Sequence, residues 1–396
     1  MWEPGPVAFL VLGLLSLVGT ALTIRAAFRL AADLRRPAGA GPGPMLPAAI
    51  LAPVRGRDPG LEENLAALLG QAYAEYRVIF AVDSLDDPAV PVIQAAIAAH
   101  GRSAEIVVSP GPSGGGSGKS AALARAAAEL RPVDRLVVTY DADSRPHRRW
   151  LAELVDGLGP DAGVATTYRW YDARGGFWTA VRSSWNSSGF SLLFDDRYNF
   201  AWGGSLVMRR EDFDRLRIRE QWPDSLSDDL VVTLAVKRDG KRVAFVPRAI
   251  CLSSETCDRA ACIEWTTRQS GFVYAYYPRI TSFALAAYGV FNGILLCGLL
   301  GLLLTAFVSP AFLPGSVLLL AELPLTLVTA EIRRAALARI LPEWRDIIDA
   351  DRGRFLAASL AVPWLMLVNL ARVRRLRTIV WRGRTYALPA PIGPGR

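Results

Sequence analysis

Hydrophobic residues in this chain form long uncharged blocks near both ends and shorter runs between them. Residues 7–24 carry no charge and, with their flanks, are long enough to cross a bilayer as a helix. Glu3 precedes this block and arginines follow it, whereas a cleaved signal peptide would carry its positive charge in front. The block therefore predicts an uncleaved membrane anchor with its N-terminus outside.

Further apolar blocks lie near the C-terminus. Residues 280–321 contain no charged residue and are interrupted at Pro310 and Pro314, which predicts two helices in a hairpin. Residues 355–371 form a shorter block that is broken by Pro363. If all three helices crossed the membrane from the cytoplasm, the Arg-rich tail would end outside, against the positive-inside rule. We therefore expect one block to be re-entrant or interfacial and the tail to stay inside.

From residue 48 onward, short β-rich runs alternate with alanine- and leucine-rich runs of helical spacing. Strands are predicted over residues 48–54, 76–82, 106–109, 136–140 and 164–168, and helices over residues 61–69, 89–99 and 120–130. This alternation predicts an α/β fold with a mainly parallel sheet, because parallel neighbours need a crossover connection. Ligands of such sheets bind at the carboxyl ends of the strands, and Asp83 and Asp141 lie at two of these ends.

The pattern as a whole predicts a multi-pass integral membrane protein whose α/β domain faces the cytoplasm. Its expected parts are an N-terminal anchor (1–36), a Pro/Gly/Ala-rich linker (37–47), the α/β domain (48–279), C-terminal transmembrane helices with a basic interfacial segment (280–371) and a basic cytoplasmic tail (372–396).

Composition and charge favour a membrane partner over nucleic acid. Hydrophobic residues make up 52% of the chain and the net charge is +8. The arginines cluster beside the apolar blocks, at positions 25, 29, 35 and 36 and again at 372, 374, 375 and 377, where they meet anionic headgroups. No RNA-binding or helix-turn-helix signature is present, so we expect no nucleic acid partner. The four cysteines have no paired CxxC spacing and are interpreted as reduced thiols rather than a zinc site.

The strongest chemical signal is a β-run, residues 136–140, that ends in two carboxylates one residue apart. Asp141 and Asp143 supply the hard oxygen ligands that Mg²⁺ takes, usually one or two carboxylates together with substrate phosphates. A metal held there would offset charge on a departing diphosphate. A polar strand end without a metal is the alternative, since Asp-x-Asp alone is common.

A second carboxylate pair, Asp228 and Asp229, precedes the apolar helical run 230–236. Carboxylates at a helix start cap free N–H groups, and capping would account for one of them. The functional interpretation makes Asp229 a general base that removes a proton from an acceptor hydroxyl. Asp228 stays open as the alternative base.

The glycine-rich run 114–120 is similar to a P-loop but departs from its pattern. In GxxxxGK[ST] the first glycine would fall at position 113, which is Ser113. We therefore favour a loop that delivers Lys119 to phosphate or nucleotide over the loop of a membrane-tethered NTPase.

Taken in order, the motifs resemble those of ceramide glucosyltransferase-like family 2 glycosyltransferases over nearly the whole chain. The resemblance rests on the Pro-x-Lys-Gly-x-Asp-Pro-like run 53–59, Asp83, Gly118-Lys119, Asp141-Ala142-Asp143, the loop 199–205 followed by Arg209-Arg210, Ser227-Asp228-Asp229, and Trp381-Arg382-Gly383-Arg384-Thr385-Tyr386.

The resemblance implies a GT-A fold and inverting transfer of a hexose, glucose by default, from a UDP-sugar to ceramide or another membrane lipid. It implies Mg²⁺ or Mn²⁺ on Asp141 and Asp143 and a base at Asp229. The implied donor-binding residues are Pro53, Arg55, Asp83, Lys119 and Asp141, and the implied acceptor-binding residues are Trp202, Gly203, Gly204, Trp265 and Arg268.

One motif of the family is not intact. In place of (Gln/Arg)-x-x-Arg-Trp, Trp265 follows Glu264 and precedes Arg268-Gln269. This departure, and the absence of charge in residues 280–321, argue against a processive polysaccharide synthase. That function and a polyprenyl-phosphate sugar transferase are the alternatives that stay open.

Overall fold

The computed structural model of the chain describes residues 4–33, 45–109, 111–112 and 115–388. Most of the expected linker (37–44), the start of the glycine-rich loop (113–114) and the end of the tail (389–396) lie outside the described residues.

A seven-stranded sheet forms the centre of the α/β domain, with the strand order β3-β2-β1-β4-β7-β5-β8. The strands of the domain are β1 Ala48–Pro53, β2 Tyr76–Val82, β3 Ala104–Val108, β4 Leu136–Tyr140, β5 Ala162–Thr166, β6 Arg169–Tyr171, β7 Ser205–Arg209, β8 Arg242–Phe245 and β9 Cys251–Ser253. The pairs β1–β2, β1–β4, β2–β3 and β5–β8 are parallel, and only β7 is antiparallel to its neighbours β4 and β5. The predicted α/β fold with a mainly parallel sheet is confirmed.

Helices cover both faces of this sheet, which is why β2 and β4 are buried along their whole length. The helices up to residue 276 are α1 Pro4–Asp33, α2 Leu61–Leu69, α3 Val90–His100, α4 Gly118–Ala127, α5 Trp150–Asp156, α6 Phe177–Ser187, α7 Phe190–Leu193, α8 Arg210–Arg215, α9 Ile218–Gln221, α10 Asp228–Arg238 and α11 Arg259–Tyr276. Leu65 and Trp150 pack on one face of the sheet, and Leu123 and Val232 pack on the other. Apolar runs in the sequence therefore become strands covered on both sides.

The remaining helices are α12 Pro278–Phe307, α13 Leu313–Leu320, α14 Glu322–Ile340, α15 Arg345–Ala350, α16 Arg352–Ser359 and α17 Val362–Val373. By length and composition, three helical segments of the described chain could span a membrane, Pro4–Arg29, Pro278–Phe307 and Pro310–Ile340. The third of these segments, Pro310–Ile340, extends beyond the expected block that ended at residue 321. Helices α16 and α17 are bent by 50° against each other, close to Pro363.

Small residues allow α1, α12 and α13 to pack closely. A Cβ on Gly315 would lie 2.5 Å from the backbone of Phe9, and one on Gly301 would lie 2.2 Å from Ser316 Oγ. The rings of Phe9 and Phe312 meet at 5.3 Å, so the first residues of α1 lie beside the turn between α12 and α13. Side chains on the outside of this bundle are apolar and exposed, Phe307 at 84%. Such a surface suits lipid rather than water.

Within the segment expected as a basic tail, residues 378–387 form an antiparallel hairpin, β10 Thr378–Trp381 and β11 Arg384–Ala387. Its inner side chains, Ile379 and Tyr386, form a small cluster with Leu226, and Phe272 of α11 packs against it. The hairpin therefore lies on the α/β domain, beside the loop that precedes α10.

Candidate active site

A cavity of about 430 Å³ opens at the carboxyl ends of β1, β2 and β4. Eleven of the predicted site residues line it: Pro53, Arg55, Asp83, Lys119, Asp141, Asp143, Trp202, Asp228, Asp229, Trp265 and Arg268. The two other predicted residues, Gly203 and Gly204, lie directly behind the carboxylates. The fold thus brings together residues that are up to 215 positions apart (53 to 268).

Asp141 and Asp143 follow β4 and are both paired with cations of the chain. Lys119 Nζ lies 2.7 Å from Asp141 Oδ1. Arg169 bridges the two carboxylates, with one nitrogen 3.1 Å from Asp141 Oδ2 and the other 3.0 Å from Asp143 Oδ1. Burial opposes ionisation of Asp143, but the Arg169 guanidinium outweighs it and lowers the pKa of this carboxyl. Asp143 is therefore negatively charged at neutral pH.

Arg169, the first residue of β6, is not among the residues predicted from the sequence. Its guanidinium also lies 4.8 Å from the centre of the Trp202 ring. An arginine three residues after a strand has no distinguishing pattern, and its role depends on the pairing of β6 with β9, which is set by tertiary contacts.

Asp228 and Asp229 are the first residues of α10, and their side chains have different partners. Asp229 Oδ1 accepts hydrogen bonds from the Ser227 hydroxyl and, at 2.8 Å, from the Leu230 N–H. Its Oδ2 faces the Gly203 N–H at 3.3 Å. Asp228 Oδ2 lies 3.3 Å from Lys119 Nζ. Asp229 thus both accepts from an N–H group at the helix start and lines the cavity.

Burial raises the pKa of Asp228 to about 7; Asp229 and Asp141 add to the rise and Lys119 opposes it. The pKa of the buried Lys119 ammonium is raised, because its neighbours Asp141, Asp228 and Asp229 outweigh the burial that would lower it. One lysine cannot neutralise three carboxylates. Asp228 therefore keeps its proton to a higher pH than an ordinary aspartate does.

The loop before β7 can pass behind the carboxylates only because it has no side chains there. A Cβ on Gly203 would lie 2.0 Å from Asp228 Oδ2, and one on Gly204 would lie 2.1 Å from the Trp202 ring and 2.6 Å from Asp141 Oδ2. The Gly203 carbonyl accepts from Thr139 of β4 at 2.8 Å, which fixes this loop to the strand that carries Asp141.

Asp83 follows β2 and also lines the cavity. Its Oδ2 is 3.1 Å from Arg55 Nε and 2.9 Å from Arg384 of the C-terminal hairpin. Arg382, in the turn of the same hairpin, pairs with Asp58 at 2.6 Å. The family resemblance implies no role for the Trp381–Tyr386 signature, but four of its residues, Trp381, Arg382, Arg384 and Tyr386, line the cavity.

Helix α11 lines the cavity with Trp265, Arg268, Gln269 and Phe272. Arg268 lies 5.5 Å from the centre of the Trp381 ring, and its Nε is buried without a hydrogen-bond partner among the described residues. Burial lowers the pKa of this guanidinium, although neighbours such as Tyr171 counteract it. An anionic ligand in the cavity would supply the missing partner.

The carboxylates of Asp141 and Asp143 could hold a divalent cation only together with further ligands from a bound molecule. Among the described residues, no group of three or more His, Cys, Asp or Glu side chains could hold a metal ion. Two carboxylates suffice for Mg²⁺ or Mn²⁺ when phosphate oxygens complete the shell. Asp143 Oδ1 is buried and has no hydrogen-bond partner among the described residues, but the Arg169 guanidinium lies 3.0 Å from it, so an ion would have to replace this ion pair.

Chemically, the cavity combines cations able to bind phosphates with a fixed carboxylate able to take a proton. Lys119, Arg169, Arg268 and Arg384 are the cations, and Asp229 is the carboxylate held by backbone N–H groups. This set suits transfer of a group that leaves with a phosphate.

The family model for glycosyl transferase family 21 matches residues 9–390 of the chain. Among proteins with curated descriptions, none matches the chain significantly.

Solved structures with a similar course of the chain include the mannosyltransferase PcManGT from Pyrobaculum calidifontis, in complex with GDP-Man and Mn²⁺, and TarS 1-349 from S. aureus. PcManGT is 18% identical, with a TM-score of 0.46, over 90% of this chain and 98% of its own. TarS 1-349 is 11% identical, with a TM-score of 0.37, over 88% of this chain and 99% of its own. Both scores lie below 0.5, so neither similarity bears on what this chain does.

Proposed function

The chain belongs to glycosyl transferase family 21, and from this premise we propose that it moves a hexose from a UDP-sugar to a membrane lipid with inversion at the anomeric carbon. The donor sugar is proposed to be glucose and the acceptor ceramide or a related lipid. The mainly parallel sheet, as expected of a GT-A domain, holds the donor at the carboxyl ends of its strands.

The observation that carries the proposal is the convergence of three aspartate stations, Asp83, the Asp141/Asp143 pair and the Asp228/Asp229 pair, on one cavity. Lys119 contacts Asp141 at 2.7 Å and Asp228 at 3.3 Å, so the middle and last stations lie within a few ångströms of each other. Asp83 lines the same cavity. A donor with a nucleoside at one end and a diphosphate-linked sugar at the other is a ligand that could contact all three stations of this cavity.

In the proposed reaction, Asp83 binds the nucleoside, and Lys119 and Arg169 face the diphosphate. Asp229 takes the proton from the acceptor hydroxyl as its oxygen attacks the anomeric carbon. The bond from that carbon to the diphosphate oxygen breaks, its electron pair leaves with the nucleoside diphosphate, and the configuration inverts. A divalent ion held by Asp141 and Asp143 would stabilise the negative charge on this leaving group.

The proposal of a lipid acceptor rests on the position of α11. This helix lines the cavity with Trp265 and Phe272, and it continues at Pro278 into α12, which is apolar enough to span a membrane. An acceptor whose tail lies among the apolar helices could present its hydroxyl to the cavity. The cytoplasm, where nucleotide sugars are made, is the proposed side of the α/β domain.

Incubation of the purified full chain with UDP-glucose, UDP-galactose or UDP-GlcNAc tests the proposal. Ceramide, diacylglycerol and a polyprenyl phosphate serve as acceptors, and products are identified by mass spectrometry. A single-sugar glycolipid that the Asp229→Asn variant does not make is expected. Long polymer, polyprenyl-linked sugar alone, or nucleotide hydrolysis that needs no acceptor would overturn it.

A further inference from the structure

The C-terminal hairpin closes one side of the donor cavity with side chains that the proposed reaction leaves without a role. Trp381, Arg382, Arg384 and Tyr386 all line the cavity, although they follow α17, the last helix of the described residues. The hairpin is attached to the α/β domain by polar contacts at three points, which lie after β1, after β2 and at the start of α4.

The first contact comes from a strained turn. Arg382 and Gly383 have φ values of 48° and 74°, as in a two-residue turn that favours Asn-Gly. An arginine in this conformation is unfavourable. In return, its guanidinium forms two bonds with Asp58, at 2.6 and 3.1 Å, and one with the Arg55 carbonyl at 2.8 Å. The turn thus fixes the hairpin to the loop that carries Arg55.

The other contacts place the Arg384 guanidinium in the cavity wall. It bonds Asp83 at 2.9 Å, and a Cβ on Gly118 would lie 2.4 Å from one of its nitrogens. Tyr386 Oη accepts from the Gly118 N–H at 3.3 Å. Because Gly118 is followed by Lys119, the guanidinium lies close to the cation proposed to face the diphosphate.

Asp83 has more positively charged neighbours than its single negative charge can neutralise. Arg55 and Arg384 both approach the same oxygen of this single carboxylate, so one positive charge is left over at the mouth of the cavity. A nucleoside that takes up Asp83 would leave Arg384 without its partner. A phosphate oxygen is the ligand that the planar fork of arginine binds best.

We propose, on the premise of the transfer reaction above, that the hairpin is the cap of the donor site and that Arg384 binds the diphosphate of the nucleotide sugar. Arg384 pairs with Asp83 in the free protein and with the diphosphate once the nucleoside occupies Asp83. Helix α17 is thereby joined by a few residues to the donor site.

Calorimetry with UDP and uridine on the full chain in detergent tests this proposal, because uridine lacks the diphosphate. We expect Arg384→Ala to weaken UDP binding about 10- to 100-fold, as for loss of a charge-assisted bond, while uridine binds as well as before or better. Arg384→Lys should lie between. Arg377→Ala is the matched control, because Arg377 is exposed and is not among the residues lining the cavity.

Unchanged UDP affinity in Arg384→Ala, or equal losses for UDP and uridine in a variant that unfolds at the wild-type temperature, would overturn the proposal. In the transfer assay, the donor KM should rise while the acceptor KM stays the same. If the wild-type chain does not bind UDP at all, the proposed UDP-sugar reaction fails instead; GDP and guanosine then form the matched pair of probes.

Discussion

Lys119 is the cation shared by the carboxylates of the site. It contacts Asp141 and Asp228 and lies near Asp229, so it cannot fully neutralise any of them. The excess negative charge is relieved in part by a proton on Asp228, whose pKa burial raises to about 7. The proposed base is held by N–H groups and its neighbour lies beside Lys119, so the two differ in their surroundings, although both are aspartates at the same helix start.

This difference predicts separate effects of Asp229→Asn and Asp228→Asn. Loss of the base should lower kcat about 100- to 10,000-fold at every pH. Asp228 is neutral below about pH 7 and charged above it, and the repulsion between its charge and that of Asp229 is relieved when Asp229 takes the proton of the acceptor. The kcat of the wild-type chain should therefore rise as the pH increases through about 7. The Asp228→Asn variant should stay active, but its kcat should not show this rise. The measurement is a pH profile of kcat for the three proteins; an inactive Asp228→Asn would make Asp228 the base.

Metal binding should depend on nucleotide. Without a diphosphate, Asp141 and Asp143 are paired with Lys119 and Arg169, and no third carboxylate of the described chain completes a cation site. Phosphate oxygens would supply the missing ligands. We expect weak Mn²⁺ binding to the protein alone, stronger binding with UDP, and loss of both on Asp143→Asn, with free Mn²⁺ followed by electron paramagnetic resonance. Tight binding without nucleotide, or full activity in EDTA, would contradict this expectation.

Position relative to the strands decided which site residues could be predicted from the sequence. Asp83 and Asp141 follow strands whose apolar runs are evident, and Asp229 precedes an apolar helical run, so each stood out in its local pattern. Arg169 and Arg384 have no such position. Their partners are 28 and 301 residues away, and such contacts form only when the fold closes.

Strands that follow from a local sequence pattern were predicted, and strands that depend on contacts distant in sequence were not. β2 and β4 have the predicted bounds because their hydrophobic runs end at polar residues. β7 was not predicted: it is short, follows Gly203-Gly204, and enters the sheet between β4 and β5 from a distant part of the chain. The hairpin β10–β11 lies in an Arg-rich segment whose charge resembles a solvated tail, and its contacts with α11 and the donor loops give it order.

A buried ion pair joins β2 to the segment before β4, and it makes a prediction for stability. Arg77 Nη2 lies 2.6 Å from Asp134, and the two side chains are 8% and 3% exposed. Asp134→Ala leaves the buried guanidinium without this partner, which typically costs about 3 to 5 kcal/mol. We expect thermal unfolding at a clearly lower temperature with kcat unchanged at low temperature.

The control for this prediction is the exposed pair between Arg242 and Asp196, whose side chains are 60% and 57% exposed. Arg242→Ala should change stability by less than about 1 kcal/mol. Equal effects of the two variants would show that burial does not set the strength of the Arg77–Asp134 pair.

Contacts of the C-terminal segments with the α/β domain restrict how the chain can pass through a membrane. The first residues of α1 lie beside the α12–α13 turn, through the Phe9–Phe312 contact. Past the Pro310–Ile340 segment, Glu343 lies 3.4 Å from His147 of the α/β domain. The hairpin after α17 also contacts this domain. Residues 343 and 384 are thus on one side, so the bent α16–α17 pair between them enters and leaves on that side.

This arrangement predicts three crossings, by α1, α12 and the Pro310–Ile340 segment, with α16–α17 re-entrant or interfacial. Single cysteines at Ser103, Val308 and Ala387, in a chain whose native cysteines are replaced by alanine, report the α/β domain, the α12–α13 turn and the hairpin. A membrane-impermeant maleimide on sealed vesicles should label the first and third from one side and Val308→Cys only from the other. If Ala387→Cys were labelled together with Val308→Cys, α16–α17 would be a fourth crossing. The hairpin could then not reach Asp83 in the membrane, and the cap assigned to the donor site would fall with it.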